Sequence, residues 1–555
     1  MAATTTAMTI ASTTTPMTIQ IQVSIGLLLF VGGTPTQLEA AGRRDLSGAH
    51  PGARGAGRPP SGRGRARPTM RTPGATTDPA RLAQEAGDMT IPAVTSRPAP
   101  SAPAATGAAA AGRDRFIDVL RLAAMALVIL QHWLMPVLSL DDGVLRTGNA
   151  FATDWVWPVT WLSQVMPLVF FAGGAAAGIS RARRRTGAVV WAGRRLYRLA
   201  VPVLVLAAVW LPLVPLLTAA GLPAQPVHTA ARFVGALLWF LALYSLITVL
   251  APLLVRLAAR ARGGEVVAMV LAAVVVDLAR FELGMPVALA YVNVLLVWGA
   301  VHQVGVHYAA GRLWWLRGTW ALAVTAGGFA VVAGAVVLGP YPPSMIGMPG
   351  DAISNMGPPT AVLLALAAGQ LGVAFALRPA VLRWVADVRV ARVVDRLSGL
   401  VMTAYVWHTP ALVLVGGAAL LGLGQATPEP FSAAWYLGLP LWLGVLGVVL
   451  VAAVRLFGPA ERWPAPASTA GPGRLALATV LVGGGMLGLT LGGFAPTAVL
   501  GTLGPLGPVA ASLAVAGGLV VLAPRRPTID RWLPRRSTTA PTTTPLGPLT
   551  ARTGA

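Results

Sequence analysis

Between residues 116 and 523 the chain alternates long apolar runs with short polar breaks. Twelve of the runs reach or approach the roughly 20 residues a helix needs to cross a bilayer. The pattern places spans at 116–137, 155–179, 199–219, 233–255, 265–281, 286–306, 319–339, 359–377, 398–421, 434–456, 475–496 and 499–523. The fifth is the weakest, because it contains Asp277 and Arg280. Runs this long and this apolar can satisfy their backbone in lipid only as helices. The predicted fold class is therefore all-α, a polytopic integral membrane helical bundle with about 10 core spans plus 2 extra C-terminal spans.

The flanks read differently. Residues 1–33 are Thr-rich and then apolar from Ile19 to Gly33, a run too short and too polar for a span. Residues 34–112 are rich in Ala, Gly, Pro and Arg and lack the large apolar side chains a core needs. The expected organisation is a disordered or mis-started tail over 1–112, a membrane domain over 113–463, two additional transmembrane helices over 464–524, and a disordered basic tail over 525–555.

Charge sharpens the topology. The chain is 55% hydrophobic and 11% charged, with a net charge of +23. Nucleic-acid binding is one cause of such a balance, but here the arginines do not share a face. They crowd the loops after spans two, four, six, eight, ten and twelve, while the loops after odd spans are nearly free of Lys and Arg. This is the positive-inside pattern. It predicts a multi-pass protein of the plasma membrane with both termini cytoplasmic, whose partners include the lipid bilayer and no nucleic acid. There are no cysteines, and the six histidines show no metal-ligand spacing, so no metal site is expected.

Polar residues inside the spans carry the candidate chemistry. The first span, RDRFIDVLRLAAMALVILQHWLMPV, holds Asp118, Arg121 and His132. Asp118 and Arg121 are i and i+3, hence neighbours on one face. Arg121 and His132 lie on one stripe, about three turns and roughly 16 Å apart. The bland alternatives are a histidine that only bonds between helices and an arginine that only snorkels. Arg194, Arg195 and Arg198 enter the third span, and Arg195 and Arg198 form an RxxR pair one turn apart. Guanidinium forks suit phosphate oxygens, whereas the plain reading is positive-inside anchoring. In AYVWHTPAL, His408 precedes Pro410, which frees a backbone carbonyl that the histidine can bond. In LWFLALY, Trp239 and Tyr244 read first as an interfacial aromatic belt. In FFAGGAAAG, Gly174 and Gly178 form a GxxxG, a device for close helix packing.

Taken together, the chain from Arg113 to Arg462 resembles the membrane acyltransferase-3 family, whose members O-acylate surface carbohydrates and related molecules. Arg121 and His132 match its R-x10-H pattern, preceded by FIDVLR, and Arg195 and Arg198 match its RxxR pattern. FFAGG, LWFLALY, AYVWHTPAL and FGPAERW resemble its second, fourth, late His-containing and tenth-span segments. A histidine the family often carries before the Leu-Trp of the fourth span is a leucine here. Spans eleven and twelve exceed the usual ten, and residues 525–555 are too short for the hydrolase-like domain of some members.

The resemblance implies an O-acyltransferase whose co-substrate is an acyl-CoA, acetyl-CoA in the first instance, and whose acceptor is a glycan or small-molecule hydroxyl of the cell envelope. It implies Arg195, Arg198 and Arg194 on the CoA phosphates and His132 as general base, with a covalent acyl-His as the alternative. Arg121 would orient the donor or hold His132 neutral, Asp118 would pair with Arg121, and His408, Trp239 and Tyr244 are further candidates. The rival class is a polytopic secondary transporter, which twelve spans and a basic loop also fit. A carrier needs no acyl donor.

Overall fold

In the computed structural model the described residues are 113–183, 186–348, 351–463, 465, 471–496 and 506–523. The tails predicted over 1–112 and 525–555, and Arg184 and Arg185, lie outside them. The helices are α1 Arg115–Leu134, α2 Trp157–Ser163, α3 Met166–Arg183, α4 Ala188–Ala219, α5 Ala224–Ala236, α6 Leu238–Ala261, α7 Gly264–Phe281 and α8 Asn293–Ala309. They continue with α9 Thr319–Leu338, α10 Val362–Trp384, α11 Val388–Ser398, α12 Val401–Gly417, α13 Ala433–Phe457, α14 Pro472–Gly492 and α15 Gly507–Leu522. Ten helical segments among the described residues are long and apolar enough to cross a membrane. The protein is thus a polytopic helical bundle. Span five is α7, an 18-residue helix carrying Glu265, Asp277 and Arg280, and span twelve is the shorter apolar helix α15.

One end of the bundle joins the start of α1 to the ends of α6 and α8, where the Tyr308 hydroxyl donates to Asp114 and Arg312 donates to the Ala258 carbonyl. The α3–α4, α6–α7, α8–α9 and α10–α12 connections carry the clustered arginines. At this arginine-rich end Asp114 caps α1 by accepting from the Ile117 N–H at 3.2 Å, and Asp118 sits favourably in the first turn.

The other end is closed by structure the apolar pattern did not predict. Residues 136–149, the last two positions of the predicted first span and the break after it, form an antiparallel hairpin of β1 Pro136–Asp141 and β2 Val144–Asn149. Asp142 and Gly143 turn it with φ of 50° and 76°, the two positive angles that a two-residue hairpin loop of matching twist requires. Both edges are covered. The Gln225 side chain of α5 exchanges two hydrogen bonds with the Leu145 backbone, at 3.0 and 3.2 Å, and Thr427 bonds Leu138 through its hydroxyl and its N–H.

The connection from α9 to α10 folds inward beside the hairpin. Gln164 donates to the Met345 carbonyl, and the Met345 N–H donates to Thr160. Buried Asp277 of α7 accepts from Tyr341 at 3.0 Å and from the Ala361 N–H at 2.6 Å, pinning both ends of the connection, while its other oxygen accepts from Asn293 at 2.8 Å. Ala150, Phe151 and Val156 pack with Ile346 and Met348 and meet Leu134 and Met135, so a small apolar cluster seals α1 just beyond His132.

Small residues set the central packing. A side chain at Gly174 would collide with the His302 carbonyl, and one at Gly305 with the Phe171 carbonyl, so α3 and α8 touch backbone to backbone. By contrast α13 buries only Trp435 and Leu446. The C-terminal pair α14–α15 packs on α4, α5 and α6, and the Phe494 N–H donates to the Ala231 carbonyl.

Candidate active site

The polar residues singled out in the sequence separate into three groups. The first centres on His132, near the closed end of α1, and His408 of α12. Their rings lie 5.2 Å apart, tilted by 57°. His132 Nδ1 is 2.7 Å from the Val128 carbonyl one turn earlier in its own helix. A carbonyl only accepts, so this contact assigns the proton to Nδ1 and leaves the Nε2 lone pair available. His408 is fully buried and bonds the Tyr405 carbonyl through Nδ1 in the same way. The carbonyl freed by Pro410 belongs to Val406, so the expected partner is displaced by one residue: three residues back along the helix is where the ring reaches.

The surrounding groups fix this pair. The Trp133 indole N–H donates to the His408 carbonyl at 3.0 Å, and the Trp442 indole N–H donates to the Trp133 carbonyl at 2.9 Å. The Tyr405 hydroxyl donates at 2.6 Å to the carbonyl of Leu237, the residue where span four breaks into α5 and α6. A run of ring contacts, Phe240 to Tyr405 at 5.3 Å and Tyr405 to His408 at 5.7 Å, carries LWFLALY to the site. Phe240 makes that contact, not Trp239 or Tyr244. Tyr244 packs inside the bundle against Phe170 and Phe240, in space that Gly173 leaves open, with a side chain at Gly173 falling 2.8 Å from the Tyr244 ring. Trp239 sits edge-on to Phe240.

The second group lies nearer the arginine-rich end of α1. Arg121 Nη2 is 3.6 Å from Asp118 Oδ1, and Asp118 is buried. Arg121 Nε is buried without a hydrogen-bond partner. Eleven residues of helix rise, roughly 16 Å, keep Arg121 from touching His132.

The third group is the arginine cluster of α4. The Arg195 guanidinium stacks 4.4 Å over the Trp191 ring, with Arg181 of α3 5.7 Å from the same ring. Arg195 Nη2 also reaches the Ala176 carbonyl at 3.4 Å. Trp191 is oriented by its own bond to Ser180 at 2.8 Å. Arg198 is exposed and Arg194 half-buried. The RxxR pair thus has one arginine held against the bundle and one extended into the open.

Sequence reasoning missed Trp133, Phe240, Tyr405 and Trp191. An indole or phenol adjacent to a candidate histidine or arginine was the available signal. It also missed a buried relay in which Arg312 donates to His307 Nδ1 at 2.9 Å and His307 Nε2 donates to Glu265 at 2.6 Å, tying α7 to α8.

No curated protein and no solved structure matches this chain. Residues 114–460, which contain all three groups, match the family model of the acyltransferase domain of type 3. A helical bundle with ten segments fit to cross a membrane, whose sequence matches that model over more than half its length, belongs to the acyltransferase-3 family: the chain is an integral membrane O-acyltransferase.

Proposed function

We propose that the protein moves an acetyl group from acetyl-CoA to a hydroxyl of a carbohydrate or other cell-envelope acceptor. The observation that carries this reading is the His132–His408 pair, two imidazoles at 5.2 Å, each anchored to a main-chain carbonyl by Nδ1. His132 Nε2 takes the acceptor proton as the hydroxyl oxygen attacks the thioester carbonyl. The C–O bond forms, the C–S bond breaks, and the imidazolium returns the proton to the departing thiolate, giving ester and free CoA. His408 is a positioning residue, holding the His132 ring by contact.

The arginine-rich end faces the cytoplasm of a plasma-membrane protein, as the distribution of arginines supports. Arg195 and Arg198 hold the CoA phosphates there, with Arg194 beside them. Stacking on Trp191 presets the Arg195 fork. Asp118 offsets the charge of Arg121, and the donor's acyl arm passes along their stripe toward His132.

The test is acetyl-CoA consumption by the full chain in lipid. Wild type turns over, His132→Ala binds acetyl-CoA without turnover, and Arg195→Ala binds it poorly. Absence of acyl-CoA binding by wild type would remove the donor assignment, and turnover by His132→Ala would remove the base.

A further inference from the structure

Three of the arginines between spans eight and nine, read in the sequence as a loop, lie on the helix α11, Val388–Ser398. Asp387 caps it by accepting from the Arg389 and Val390 N–H groups. On a helical wheel Arg389, Arg392 and Arg396 fall within an arc of about 60°, and Val393 and Leu397 occupy the arc beside it. All five are exposed, the two apolar ones by 51% and 49%. The opposite side is fastened to the bundle: Val394 is buried, Arg115 of α1 bridges Asp395 at 3.2 Å, and Arg115 also donates to the Ala391 carbonyl at 3.0 Å. The acidic groups of the helix are thereby committed, one to the cap and one to Arg115, and the basic arc keeps its charge. The helix follows directly on Arg383 and the exposed Trp384, at the end of a membrane-spanning helix.

We propose that α11 lies in the membrane interface and binds anionic phospholipid, with Val393 and Leu397 among the upper acyl carbons and Arg389, Arg392 and Arg396 on the headgroup phosphates. A water-soluble phosphate ligand accounts for the arginines alone. It gives no reason for half-exposed Val393 and Leu397 to border them. A charged lipid accounts for both, and the fixed inner side of α11 keeps the outer side at one depth.

Native mass spectrometry of the detergent-released full chain tests this, using phosphatidylglycerol and phosphatidylcholine of identical acyl chains. Wild type should retain phosphatidylglycerol preferentially. The preference should fall by about fivefold per arginine through R389Q, R392Q and R396Q. V393N/L397N should also shed phosphatidylglycerol, and R256Q/R260Q/R262Q, at the α6–α7 connection of the same end, should keep the wild-type preference. Equal retention of the two lipids would overturn the proposal, as would an equal loss in the α6–α7 variant. Displacement of bound lipid by soluble glycerol phosphate, with V393N/L397N unchanged, would identify a soluble-phosphate site instead.

Discussion

The Trp133 indole N–H donates to the main-chain carbonyl of His408 across 3.0 Å, joining the neighbour of one candidate histidine to the backbone of the other over 275 residues of sequence. Registration of the two rings depends on this bond and on the Trp442 bond behind it. Trp133→Phe keeps an aromatic ring but removes the donor and part of the indole volume. It should cost about 1–3 kcal/mol in thermal unfolding and lower the acetyl-CoA turnover number more than the KM, a split that steady-state kinetics reads directly. A change confined to KM would show that the bond does not register the pair.

Tyr405→Phe isolates another support. The phenyl ring still packs between Phe240 and His408, but the Leu237 carbonyl loses its donor at the break in span four. The expected loss is about 1–2 kcal/mol, whereas Tyr405→Ala, which also opens a cavity, should lose about 3–5 kcal/mol. Thermal melts of the two variants in one detergent compare them.

The two arginines of RxxR should separate experimentally. Arg195 is stacked and Arg198 is exposed. Arg195→Lys keeps the charge but loses the planar stack on Trp191, so it should raise the KM for acetyl-CoA nearly as much as Arg195→Ala. Arg198→Ala should weaken binding by a smaller factor that shrinks further as salt is raised. Titration of acetyl-CoA at two ionic strengths gives both numbers.

Gly174→Ala tests the backbone contact between α3 and α8. Its new methyl group meets the His302 carbonyl, and backbone cannot yield as a side-chain tip can. Destabilisation of about 1–3 kcal/mol is expected, seen as a lower melting temperature and yield. Gly327→Ala, in α9 with nothing nearby, is the matched control and should be neutral or stabilising by up to about 1 kcal/mol.

Asp277→Ala should release the α9–α10 connection. It removes the oxygen that accepts from both Tyr341 and the Ala361 N–H, and the second oxygen that accepts from Asn293. Faster proteolytic cleavage within residues 339–361, at unchanged helix content, is the expected result.

These sites differ in how much of them the sequence displayed. The spans were readable because lipid imposes length and apolarity on every crossing helix. Asp118 and Arg121 were readable as neighbours because i, i+3 spacing is local. The hairpin carried its own signal in Asp142-Gly143, which the search for apolar runs passed over. The arginines of α11 recur at helical spacing behind a capping aspartate, yet were counted only as loop charge. The approach of His408 to His132 had no local signal, because it arises where α1 and α12 pack, far apart in sequence. Leu237 has none either: the break in span four occurs in an unremarkable Leu-Leu pair and is satisfied from another helix.

Helix α13 has a further consequence for how the chain can change over evolutionary time. Of its 25 residues only Trp435 and Leu446 are buried, and Trp442 makes its one bond to the backbone behind His132. Most other positions answer to the solubility of the helix in lipid rather than to a neighbouring side chain. They can drift among apolar residues with little penalty. A saturation scan should find α13 permissive to Leu, Ile, Val and Phe over most of its length, intolerant of charge across its middle, and particular about identity at 435, 442, 446 and 457, where Phe457 stacks on Trp407 at 3.9 Å. The helix behind the candidate histidine pair would then be constrained in composition far more than in sequence.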